Sequence, residues 1–188
     1  NNKKGPKNGV AYDGTPKFNR ALAGKRSVKV LAMDISGGVN LKTNTVEHEL
    51  FHLYQNGYTY FKNRWYTEGT ARWSELVIKG QLGKTSALPK NIDAKNELFN
   101  KTYGASAFWN ALIVIADKEN LGKNFMKALL EELERVDDIA AKSRGIGHKN
   151  WKESEQRNKE NNLYIWQAII RVSRNFSDSR DIKNLSLL

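Results

Sequence analysis

The stretch Thr45-Val-Glu-His-Glu-Leu-Phe-His-Leu-Tyr-Gln55 decides how this chain reads. His48 and His52 are four residues apart. On a helix that interval stacks two side chains on one face, one turn apart, where both reach a common metal ion. Glu49 follows at roughly 100° around the helix, beside such an ion rather than on it, the place for a general base acting on water. Thr43, Asn44 and Thr45 are N-cap residues, and Glu47 and Glu49 enrich a first turn, so a helix is predicted to run to about Gly57. With Val46 as origin, Leu50, Leu53 and Tyr54 fall within about 80° of it and the two histidines lie opposite. The expectation is an apolar side against the core and a histidine side left free for a cleft. The chain holds three His in 188 residues, and two of them bracket a Glu at this interval, so they are read as ligands rather than as solvated histidines.

Two histidines leave a catalytic zinc site one protein ligand short. Downstream, Trp65-Tyr-Thr-Glu-Gly-Thr-Ala-Arg-Trp-Ser-Glu75 supplies a candidate in Glu68. The interval from Gly57 to Arg64 is long enough to reverse the chain and start a second helix, predicted from near Trp65 or Thr67 to near Gly80. Gly69 and Ala71 are small and would let this helix approach the first closely.

HELFH followed by WYTEGTARW resembles the gluzincin metallopeptidases, in which HExxH is followed by a helix bearing a Glu ligand; the aminopeptidase-like and thermolysin-like pattern is nearest. The likeness covers about residues 43–80. It implies a zincin-like domain, Zn2+ held by His48, His52 and Glu68, and Glu49 as the catalytic base that activates water for attack on the peptide bond of a peptide or protein substrate. Fifteen residues separate His52 from Glu68, fewer than is usual in those families. Arg72 stands where a thermolysin-like enzyme places an Asp to orient a His ligand. Glu75 is read either as that orienting group or as an exposed helix residue. No signature for binding a free amino terminus is present, so endo- and exo-cleavage both stay open.

Hydrolysis also needs a group beside the metal to stabilise the oxyanion. Tyr103, opening a helix next to Gly104, is the first candidate, with packing as its alternative role. His148, between glycines, is the second. The strand read below could present its edge to an extended peptide.

Around this centre the periodicities predict a strand at 27–34, a turn at Gly37-Gly38, and helices at about 103–118, 121–137 and 161–176. Leu121, Phe125, Leu129, Leu133 and Val136 form one stripe. Phe108, Trp109 and Trp166 read as core. Residues 142–159 read as a polar loop or solvated helix, with Trp151 in a solvated basic segment. The fold class expected is α+β: a mainly helical zincin-like domain over 27–188, with a small N-terminal sheet and the HExxH helix, preceded by a loop-rich basic arm at 1–26.

Composition sets the outer bounds. The net charge is +11, and residues 1–29 hold eight Lys or Arg against one acid, Asp13. That arm either is merely solvated or touches an anionic polymer or surface, nucleic acid or lipid included. There is no Cys, which excludes disulfides and thiolate metal sites. The longest apolar run, Ala107 to Ala116, is too short to cross a bilayer. Residue 1 is Asn, which points to a trimmed or processed chain and, with the resemblance, to an extracellular or cell-envelope location. The function expected is zinc-dependent hydrolysis of peptide bonds. The alternatives are an inactive zinc-containing binding or scaffold domain and a polyanion-binding module acting through the arm.

Overall fold

Helical periodicity governs every regular element described from Asn44 onward. The computed structural model describes residues 10–12, 19–21, 27–29, 32–34, 44–81, 98–117, 120, 122–146 and 151–176. The chain divides into two units, Asn1–Gly57 and Tyr58–Leu188.

In the first unit the expected N-terminal sheet is not borne out, and with it the α+β class falls: the protein is mainly helical. Within the predicted strand 27–34, two three-residue pieces are described, and they have different partners. β3 (Ser27–Lys29) pairs with β2 (Asn19–Ala21), and β4 (Ala32–Asp34) pairs with β1 (Val10–Tyr12), each antiparallel and in a separate two-stranded ladder. Isolated two-stranded pairs this short cannot enclose an apolar face, and three or more strands are needed for a sheet that stands as a layer. Of the basic arm at 1–26, only β1 and β2 are among the described residues. The unit's one described helix is α1 (Thr45–Tyr58), which opens with the His48 amide bonded to the Asn44 carbonyl at 3.0 Å.

The second unit contains α2 (Arg64–Ile78), a 3₁₀ turn at Tyr103–Ala105, α3 (Ser106–Asp117), α4 (Lys123–Ser143), the single-turn α5 (Glu153–Gln156) and α6 (Asn161–Phe176). α4 packs along α6, while α2 packs on α3 and on the 3₁₀ turn. The expected stripe lies on α4, where Phe125, Leu129, Leu133 and Val136 are all buried. Leu121 lies outside the described residues. The helix runs on to Ser143, six residues past its predicted end near Val136–Asp137, with Ala140 and Ala141 continuing the buried face. Phe108, Trp109 and Trp166 are core, as expected. Trp151 is not in a solvated segment: it is buried, stacks on Tyr60 with centroids 5.9 Å apart, and carries the Arg144 guanidinium over its ring at 6.0 Å. Its flanking lysines mislead the sequence reading, because an indole next to cations gains more from a packed aromatic shelf than from water.

The α3–α4 joint is held by one carboxylate. Asp117 Oδ2 accepts the amides of Asn124 and Phe125 at 2.9 and 3.0 Å, which satisfies two N-terminal donors of α4. Between them Gly122 turns the chain at φ 76°, and a Cβ there would lie 2.2 Å from Ile113 Cγ2. No helix among the described residues is long and apolar enough to cross a membrane. Asp117→Ala is expected to lower the unfolding free energy by about 1–2 kcal/mol through the lost cap. Gly122→Ala, which adds a clash to an unfavourable φ, is expected to cost more. Urea denaturation of the two variants beside wild type reads both.

Candidate metal centre

Each residue of the centre owes its place to a local constraint. On α1, His48, Glu49 and Gln55 are buried and His52 is half-buried, whereas Leu50 is 46% and Tyr54 60% exposed. The expectation was the reverse, with the apolar side inward and the histidine side free. The helical repeat was right and the choice of inner face was wrong. A polar face can be the buried one where its groups satisfy each other, and here they do. His52 Nδ1 meets Gln55 Oε1 at 2.6 Å, and His52 Nε2 meets His48 Nε2 at 3.1 Å. The rings stand edge to face, with centroids 4.7 Å apart. Since the Gln55 Oε1 only accepts, Nδ1 of His52 carries the hydrogen and its Nε2 presents a lone pair, the tautomer of a metal ligand.

Glu68 sits in α2, whose entry is tied down several times over. The Tyr60 amide donates to Asp137 Oδ2 at 2.9 Å, and the Lys62 amide to the Gln156 carbonyl at 2.8 Å. Asn63 Nδ2 reaches the Asn158 carbonyl at 3.0 Å and Asn162 Oδ1 at 2.9 Å, and Trp65 Nε1 shares that Asn162 oxygen at 2.8 Å. Trp109 stacks on Trp65 at 5.6 Å and donates from Nε1 to the Trp65 carbonyl at 2.9 Å. A Cβ on Gly69 would lie 2.7 Å from the Trp109 ring and 2.9 Å from Ala105 Cβ. The small residue after Glu68 therefore admits α3 and the 3₁₀ turn.

One ligand atom from each of His48, His52 and Glu68 lies within 4.8 Å of the others. Two imidazoles and a carboxylate form a nitrogen–oxygen donor set that suits zinc and leaves a coordination position for water or substrate. Two ligands on a tetrahedral ion with bonds of 2.0–2.1 Å stand about 3.3–3.4 Å apart, close to the 3.1 Å between the two Nε2 atoms. The residues fit the ion.

The remaining expectations divide. Glu49 is buried on α1 beside the histidines, as the spacing predicts. Glu75 is buried rather than exposed, and it is ion-paired with Arg72 of its own helix. Tyr103 opens the 3₁₀ turn rather than a regular helix and is 51% exposed. His148 lies outside the described residues. Gln55 was missed, though its position three residues after His52 is the signal that reveals it, since that interval shares a helix face. Tyr66, two residues before Glu68, is fully buried, and its hydroxyl has no hydrogen-bond partner among the described residues. Burial first, and the Asp137 charge second, push that phenol well above its ordinary value, so it stays neutral.

No protein-family model, curated protein or solved structure matches this chain, so the site stands on its own geometry.

Gln55→Leu is expected to weaken zinc binding about 10- to 100-fold by freeing the His52 ring, read by competition with a chromophoric chelator. Tyr66→Phe removes an unsatisfied buried hydroxyl and is expected to leave stability unchanged or raise it by about 1 kcal/mol, measured by thermal melting of the metal-free protein.

Proposed function

We propose that this chain is a zinc-dependent peptidase of the gluzincin type. The observation that carries the reading is the convergence of His48, His52 and Glu68, with their ligand atoms within 4.8 Å of one another, around a helix that also bears Glu49. His48 and His52 would hold the ion through Nε2 and Glu68 through a carboxylate oxygen. A bound zinc ion supplies Lewis acidity, which polarises a substrate carbonyl and makes water a usable nucleophile near neutral pH.

The chain's own residues do the rest. Glu49 takes the proton from the attacking water and returns it to the departing amine. Its burial on the helix that bears the two histidines supports this role. Gln55 keeps His52 in the tautomer that ligation requires. Tyr103 is the proposed donor to the oxyanion. Peptides or proteins are the proposed substrates. An inactive zinc-containing scaffold would have no use for Glu49, so that residue separates the two readings.

Wild type is expected to carry one zinc per chain by elemental analysis, and His48→Ala and Glu68→Ala to lose it. Glu49→Gln is expected to keep the metal while cleavage of a peptide mixture falls by about 10²–10⁴-fold. Full zinc affinity in Glu68→Ala would remove Glu68 from the ligand set. Wild-type protein that takes up no zinc after reconstitution, or full activity in Glu49→Gln, would overturn the peptidase reading.

A further inference from the structure

A second concave site lies wholly within the unit Tyr58–Leu188, at the entry to α2. It is a cleft of about 670 Å³, within the usual range for ligand sites. Lys62, Arg64, Lys101, Arg157 and Lys159 line it, and no Asp or Glu is among its lining residues. Arg157 is paired with the exposed Glu153 at 3.2 Å just outside, a contact open to solvent and so a weak competitor. The starts of two long helices border the same space, α2 through Asn63 and Arg64 and α6 through Asn162 and Leu163. Neither helix has an acidic residue in its first turn, although the exposed Glu160, which pairs with Arg144 at 3.4 Å, immediately precedes α6. Asn63 is buried, and its Oδ1 lacks a hydrogen-bond partner among the described residues.

We propose that this cleft binds an acidic segment of a peptide, with Asp or Glu carboxylates on the five cations. The choice of a peptide over other anions rests in part on the function proposed above. Arg64 precedes Glu68 by one helical turn on α2, which places the two on one helix face with a rise of about 6 Å between them. The mouth of the cleft and the carboxylate assigned to the metal thus belong to one face of one helix. Nucleic acid fits less well. Sites for single strands pair a basic groove with free aromatic faces, whereas Phe99, the one aromatic lining residue, packs against Trp65 at 5.1 Å and Trp166 at 6.2 Å. None of the described residues that line the cleft belongs to the basic arm.

The test measures binding of a fluorescein-labelled hexaglutamate peptide by anisotropy, on metal-free protein, at low and at about 0.15 M ionic strength. Because no metal is present, the result reads the cleft whether or not the His48–His52–Glu68 site hydrolyses anything. Replacing Arg64, Lys101 and Lys159 together by Ser is expected to weaken binding by about tenfold or more. The same loss of charge on α4, with Lys123, Lys127 and Lys142 replaced by Ser, is expected to change it by less than about twofold. If the first triple variant melts early, Lys159→Glu alone, on the exposed turn before α6, is read in its place and is expected to weaken binding about threefold or more. Equal losses in the two triple variants, or none in either, would overturn the proposal, because net charge rather than the cleft would then be responsible. An unlabelled oligothymidylate that displaces the peptide more strongly than free hexaglutamate does would also overturn it, in favour of nucleic acid.

Discussion

A missing methyl group at Gly69 is the constraint on which the second unit's architecture rests. Only a residue without a Cβ lets the Trp109 indole lie against α2, and only from there can Trp109 stack on Trp65 and hydrogen-bond its carbonyl. From that contact the aromatic core spreads through Phe108, Phe99 and Trp166. The same contact fixes how far α2 can turn about its axis. Glu68 immediately precedes the constrained glycine, and Arg64 lies one turn earlier, so the carboxylate and the mouth of the cationic cleft are set by one piece of packing. Close approach of backbone to an aromatic ring leaves little freedom to adjust, because cores of this density yield to strain only in discrete rearrangements.

On α1 the organising term is polar rather than apolar. Burying two imidazoles and an amide is unfavourable unless their donors and acceptors are matched. The chain Gln55–His52–His48 supplies those matches along one face, at intervals of three and four residues. The apolar Leu50 and the amphipathic Tyr54 are left to solvent as the counterpart of that choice. A helix normally hides its apolar stripe, so the inversion is itself informative. It is the arrangement expected when the function of a helix lies in the groups it conceals.

The sequence made the site more legible than the fold. Residue spacing is a local property of one helix, so the interval alone puts His48 and His52 on one face of α1, and the structure groups one ligand atom of each with one of Glu68 within 4.8 Å. The α4 stripe was legible for the same reason, and the helix outran its predicted end because Ala140 and Ala141 keep the period without a bulky marker. What failed needed information from elsewhere in the chain. The segment 27–34 is β-branched enough for a strand, yet whether it joins a sheet depends on partners, and it has found only three-residue ones. The inner face of α1 could not be told from apolarity when the polar face satisfied itself. Trp151 looked solvated among its basic neighbours because the shelf of Tyr60, Phe61 and Tyr164 that receives it and Arg144 comes from two distant segments.

The staples at the entry to α2 bear on the order of assembly. Tyr60 is joined to Asp137 across 77 positions, Asn63 to Asn158 and Asn162 across 95 and 99, and Trp65 to Asn162 across 97. Contacts of such long sequence separation form late, since the closure entropy of the intervening chain must be met before they contribute. During synthesis the ties of Asn63 and Trp65 to Asn158 and Asn162 must wait until the segment beyond residue 150 has emerged. Glu68 thus acquires its final seat only after that segment has been made, while α1 can form from local signals well before. A chain made no further than α2 would display its histidines without the carboxylate's scaffold.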